Sequence, residues 1–146
     1  MSSEVLIAHP TSEGRGSAMS MVLHPADKGS LGFIECWLAK QVCTGLSPSR
    51  FDWENCLRVR LYAIGLAEMC MVFRGMKERA CIGKGRGSVN VRFSHRIEPI
   101  AGYLLEATDL EGSSACIMLT QPEAVFLSLA IEASMGVLAF GEGGNE

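Results

Sequence analysis

Twice in this chain a two-residue hydrophobic alternation gives way, within a few positions, to a helical period. In Leu57-Arg58-Val59-Arg60-Leu61 every second side chain is apolar, the pattern of a strand with one buried face. Leu66, Met69, Cys70 and Phe73 then fall at i, i+3, i+4 and i+7, one stripe of a helix over 64–74, and Gly75 is placed to end it. The same switch recurs 58 residues on, counted from Leu61 to Leu119. Ser114–Leu119 reads as a strand and Thr120-Gln121-Pro122-Glu123 as a helix start. Thr120 can cap, Glu123 sits at the capping-box position, and proline is tolerated in a first turn. A lone strand or helix cannot bury its apolar side, so the pattern predicts two sheets, each closed by a helix. The fold class is therefore α+β, with two antiparallel β-sheets in a β-β-β-β-α pseudo-repeat.

The rest of the chain fits around these steps. Residues 1–17 are rich in Ser, Glu, Gly and Arg and read as a flexible N-terminal arm. Strands are expected at 18–23, 31–39 and 51–62, with turn chemistry at 24–30. Residues 76–88 read as a polar, glycine-rich connection, followed by a strand in which Val89, Val91 and Phe93 alternate with polar residues. A strand over 102–107, a hairpin loop at 109–112 and a short acidic, disordered tail at 141–146 complete the reading. One domain is expected over 18–140, made of pseudo-repeats 18–75 and 79–140. The last helix is apolar on more sides than its own sheet needs, with Val125, Phe126, Leu127, Leu129, Ile131, Met135, Val137 and Leu138. The surplus predicts burial against another subunit, hence a homo-oligomer, dimer or tetramer.

Net charge is −3, but it is unevenly spread. Residues 50–96 hold ten basic against four acidic residues, a net +6, and the remainder holds three against twelve, a net −9. Such asymmetry hints at a polyanionic partner. The six cysteines include Cys56, Cys70 and Cys116 inside apolar segments, and no C-x-x-C occurs. Reduced, buried thiols are expected rather than disulfides or zinc. No basic-then-apolar leader and no apolar run of membrane-spanning length is evident, so the expectation is a cytoplasmic, non-secreted protein without a membrane partner.

The chemistry of an enzyme is not legible. Gly83-Lys84 lacks the other residues of a phosphate loop, since Glu78 stands where the first glycine belongs and Gly85 where Ser or Thr belongs. Gly83, Gly85 and Gly87 precede a strand, whereas a dinucleotide site would need a helix there. The three histidines, His9, His24 and His95, have no obvious nucleophile to serve. No catalytic residue, cofactor or metal is expected. What remains is a basic sheet with interleaved aromatics. Arg58 and Arg60 share one strand face, Arg92 and Arg96 another, with Phe51, Trp53, Tyr62 and Tyr103 near them in sequence and Lys84 and Arg86 in the glycine-rich loop. Cations that track phosphates beside rings that stack on bases are how single-stranded nucleic acid is held. Phe73, Phe93 and Phe126 are expected in the core instead. The alternative reading is a non-catalytic protein-interaction or structural domain on the same fold.

Three features resemble the Whirly-like superfamily of single-stranded-DNA-binding transcriptional regulators, which includes kinetoplastid RNA-binding branches. They are Phe51-Asp52-Trp53 leading the long strand, the helix ending Val72-Phe73-Arg74-Gly75, and the step Met118-Leu119-Thr120-Gln121-Pro122-Glu123-Ala124. The lysine-rich DNA-contacting motif of the plant proteins is not clearly matched by Gly83-Lys84-Gly85-Arg86-Gly87. The resemblance spans 18–140. It implies binding of single-stranded DNA or RNA in transcription, replication or repair, by an oligomer that packs its helices between subunits.

Overall fold

The computed structural model describes residues 4–42, 50–84, 90–98 and 101–142. Ten elements follow one another: β1 (Glu4–His9), β2 (Ser17–His24), β3 (Phe33–Lys40), β4 (Leu57–Tyr62), α1 (Ala63–Phe73), β5 (Arg79–Lys84), β6 (Asn90–Arg96), β7 (Gly102–Thr108), β8 (Ser114–Leu119) and α2 (Gln121–Phe140). The strands form two four-stranded antiparallel meanders, β1-β2-β3-β4 and β5-β6-β7-β8, each followed by its helix. The α+β class and the β-β-β-β-α repeat are both present.

Alternation sorts each sheet into an inner and an outer face. In the first sheet Ile7, Met19, Met21, Ile34, Cys36, Leu38 and Leu61 are buried, and in the second Ala80, Ile82, Val91, Phe93, Leu105, Ala107, Ile117 and Leu119. The two helices pack against each other and close one continuous core. Leu66, Met69, Cys70 and Val72 contribute the inner stripe of α1, and Ala124, Leu127, Ile131 and Leu138 that of α2. Gly65 lets α1 lie on β5, since a Cβ there would stand 2.4 Å from the carbonyl oxygen of Ile82. Gly75 ends the first helix at φ +75°, a conformation that costs glycine nothing. Thr120 and Glu123 form the reciprocal capping box of α2.

Six expectations need correction. The first concerns the arm over residues 1–17. Residues 4–9 are not loose, because β1 is a full edge strand in register with β2. Ile7 is buried, and His9 Nε2 lies 2.9 Å from Glu123 Oε1 at the start of α2. Burial and that tether outweigh the chain entropy that argued for an arm. The second is the long strand over 51–62, which shrinks to Leu57–Tyr62. Asp52 Oδ1 accepts from the Asn55 amide at 3.2 Å, and this side-chain turn displaces the ladder. The third is the connection over 76–88, which contains β5. Ala80 and Ile82 alternate inward beneath the charged residues, and a register shift follows Cys81. The fourth is Phe126, which is 55% exposed instead of in the core.

The fifth and sixth concern α2 and the thiols. α2 is long and apolar enough to cross a membrane by length and composition, contrary to the sequence expectation. In this fold, however, its inner stripe fills the core, and its Glu132 pairs with Arg74, the C-cap of α1, at 2.8 Å. Among the cysteines, Cys36 and Cys70 are buried and Cys56 is half-buried, but Cys81 and Cys116 are exposed. Cys116 departs from its apolar segment because it pairs with Glu106 on the outer face, while Ala115 and Ile117 turn inward. Cys43, Arg86 and the end of the acidic tail, residues 143–146, lie outside the described residues.

Every cysteine among the described residues is a free thiol. Excess reductant should therefore leave the melting temperature unchanged in calorimetry. Loss of a structural disulfide would cost roughly 2–5 kcal/mol and lower it by many degrees. Burial, reinforced by nearby Cys56, pushes the Cys36 thiol from 9.0 up to about 12. The folded state thus holds this proton more tightly than the unfolded chain. Its contribution to stability is whole below pH 9.0 and is lost as pH rises toward about 12. Native protein should alkylate at Cys81 and Cys116 first and at Cys36 only on unfolding, as peptide mass mapping would report.

Candidate nucleic-acid interface

The outer face of the first sheet concentrates rings and guanidinium groups. The register sets Trp37 opposite Arg58, Glu35 opposite Arg60, and Phe33 between His24 and Tyr62. These positions alternate with the buried Ile34, Cys36 and Leu38, so the pleat turns all of them outward. Arg58 Cζ stands 4.2 Å from the ring centre of Trp37, and Arg60 Cζ stands 4.5 Å from that of Phe33. His24 stacks on Phe33 with centroids 4.6 Å apart, and Tyr62 lies 5.6 Å on the other side. Neither arginine has an acidic partner within salt-bridge distance among the described residues. Both are exposed on β4, the edge strand of this sheet. Held by a ring instead of a carboxylate, each guanidinium keeps its donors available.

Trp53 joins this face from the loop before β4. Its backbone is fixed by the Asp52–Asn55 turn and by a hydrogen bond from the Asp52 amide to the Lys40 carbonyl, 2.9 Å. The indole helps to line a cavity of about 260 Å³ with Glu4, Ser20, Val22 and Trp37. Sequence reasoning named Arg58, Arg60, Trp53 and Tyr62 but missed Trp37, Phe33 and His24. The signal was present in the alternation of Phe33, Glu35 and Trp37 against Ile34, Cys36 and Leu38.

The second sheet carries a smaller basic patch on its own outer face. Arg92 lies between Cys81 and Glu106 in one cross-strand row, and Arg96 Nη2 is 3.4 Å from Glu106 Oε2. Arg79, which the sequence reading left out of the site, faces outward opposite Ser94. The four named arginines are all exposed, but they divide between two sheets and do not form one row. Lys84 ends β5, and Arg86 lies outside the described residues.

Tyr103 does not share the arginine face. It stands opposite Leu119 and His95, on the inner side of β7. Its ring packs 5.2 Å from Phe73, 5.7 Å from Phe93 and 4.9 Å from His95. Tyr103 is two residues from Leu105 and one from Leu104, so strand parity assigns it to the core side. Among the described residues no group of three or more His, Cys, Asp or Glu side chains could hold a metal ion.

The chain has the Whirly-like fold. It superposes on WHY1 from Arabidopsis thaliana with a TM-score of 0.68 at 16% identity, over 93% of this chain and 86% of that one. A guide-RNA-binding protein complex bound to a guide RNA is similar over 100% of this chain and 96% of that chain, with a TM-score of 0.72 at 14% identity. The MRP1/MRP2 proteins of Trypanosoma brucei match with a TM-score of 0.71 at 13% identity, over 92% of this chain and 84% of theirs. By sequence, no family model and no curated protein matches the chain.

Proposed function

We propose that this protein binds single-stranded nucleic acid, with single-stranded DNA favoured, through the outer face of its first sheet, and does so without catalysis. The observation that carries the reading is the pairing of Arg58 with Trp37 and of Arg60 with Phe33 on one exposed surface. A guanidinium beside a ring presents a phosphate donor next to a stacking platform, and base stacking contributes about 1–3 kcal/mol per base. Arg79 and Arg92 form a second basic patch on the outer face of the second sheet. Similarity of fold to a complex that holds a guide RNA supports nucleic acid as the ligand class. Titration of a labelled 15-nucleotide dT strand against its RNA counterpart at several salt concentrations tests the reading. Steeply salt-dependent binding of either strand is expected, and no binding at low salt would overturn it.

The working unit under this reading is a homo-oligomer. The outward stripe of α2 exposes Val125, Phe126 and Leu129 by 59%, 55% and 61%, with the small residues Ala133 and Gly136 continuing it. An apolar stripe of this kind favours helix packing between subunits. Light scattering at micromolar concentration should give at least twice the chain mass of 15.7 kDa. Changing Phe126 and Leu129 together to Glu should return the mass to one chain with the circular dichroism spectrum intact. A unit mass for the unmodified protein would sink the oligomer.

A further inference from the structure

The cavity between Trp37 and Trp53 is more specific than a stacking surface requires. It is lined by the two indoles, Val22, Ser20 and Glu4. Ser20 is buried, at 5% exposure, and its hydroxyl donates to Glu4 Oε2 at 2.5 Å. That bond fixes the Glu4 carboxyl group against the sheet while leaving it further acceptor sites, since a carboxylate offers about four. At about 260 Å³ the cavity lies just below the roughly 300–1,000 Å³ of pockets for drug-sized ligands, which suits one planar ring system. Arg58 lies over the Trp37 ring, so a strand phosphate bound there would bring its neighbouring base to the cavity.

From this juxtaposition we infer that the cavity receives one guanine base of the bound strand. The inference rests on the proposed nucleic-acid reading and gives it a base preference. Among the common bases only guanine presents two adjacent N–H donors, N1–H and the exocyclic amine, on its Watson–Crick edge. A carboxylate, which only accepts, matches that pair. Adenine and cytosine place a ring-nitrogen acceptor beside their amine, which would face the Glu4 oxygens unfavourably, and thymine offers one donor between two carbonyls. The indoles supply flanking apolar contact, and Ser20 acts as a positioning residue for the carboxylate.

The experiment uses the full chain and four fluorescein-labelled 15-nucleotide strands: dT throughout, or dT with one central dG, dA or dC. Anisotropy titrations should show the dG strand bound about tenfold tighter than the other three, the scale of one bidentate base contact. In Glu4→Gln one acceptor oxygen becomes a donor. The advantage of the dG strand over the dT strand should then disappear, whatever the change in affinity for dT, because the base contact is lost and the phosphate contacts remain. A dG strand within twofold of dT for the unmodified protein, or a dG preference that survives Glu4→Gln, would overturn this inference alone. Failure to bind any of the four strands would overturn the reading of the whole face.

Discussion

Replacing Arg58 and Arg60 together by alanine should flatten the salt dependence of single-strand binding by about 1–1.4 units of log affinity per log salt. Each phosphate neutralised on a single strand contributes about 0.7 to that slope, and the two exposed side chains account for two contacts. At physiological salt the electrostatic part alone lowers affinity roughly tenfold, and loss of the ring-held guanidinium groups adds to it. Lysine at both positions separates the two causes. Arg58→Lys with Arg60→Lys should keep the slope, because the charges remain, yet bind more weakly, because an ammonium lacks the planar fork that lies on Trp37 and Phe33. The fold should survive all four changes, since exposed substitutions away from special features usually cost little. Salt titrations by anisotropy check this. An unchanged slope in the double alanine variant would mean that the strand lies elsewhere, with the Arg79 and Arg92 patch the next surface to test.

Phe93→Ala should be the most damaging single change to the fold. The ring is fully buried, stacks 5.7 Å from Tyr103 and meets Phe73 of α1 edge-on at 4.9 Å. It therefore ties the second sheet to the first helix, and its loss empties a site shared by both pseudo-repeats. Phe-to-Ala truncations in a core cost about 3–5 kcal/mol. For a chain of this length each kcal/mol is worth roughly 2–4 °C, so the melting temperature should fall on the order of 10 °C in calorimetry. Phe93→Leu leaves a smaller cavity and should cost well under half as much. A fall below about 3 °C for the alanine variant would mean that Phe73 and Tyr103 collapse into the space.

The sequence by itself determined the elements whose periodicity is undiluted. Leu57–Leu61, the stripe Leu66–Phe73, the strand Ser114–Leu119 and the cap Thr120–Glu123 could each be read because a buried face repeats at 2 or 3.6 residues. The same parity already set Arg58 and Arg60 opposite Val59 and Leu61. Where composition masked the period, the reading failed. Val5-Leu6-Ile7-Ala8 has no polar alternation, and Arg79-Ala80-Cys81-Ile82-Gly83-Lys84 hides two inward side chains among charges and glycines. Both became strands because neighbours supplied a hydrogen-bonding edge and a core to fill, neither of which is a local property. The candidate site was decided at the same level. Trp37 meets Arg58, Phe33 meets Arg60, and Glu4 meets Trp53 across distances of 21, 27 and 49 residues. Strand register fixes which of the strand side chains share a face, register being set by the turns and the burial of the opposite face, and the Asp52–Asn55 turn brings Trp53 beside them. Tyr103 marks the same boundary from the other side. Its place near basic residues in the sequence suggested a stacking ring, and one step of strand parity turned it into the core.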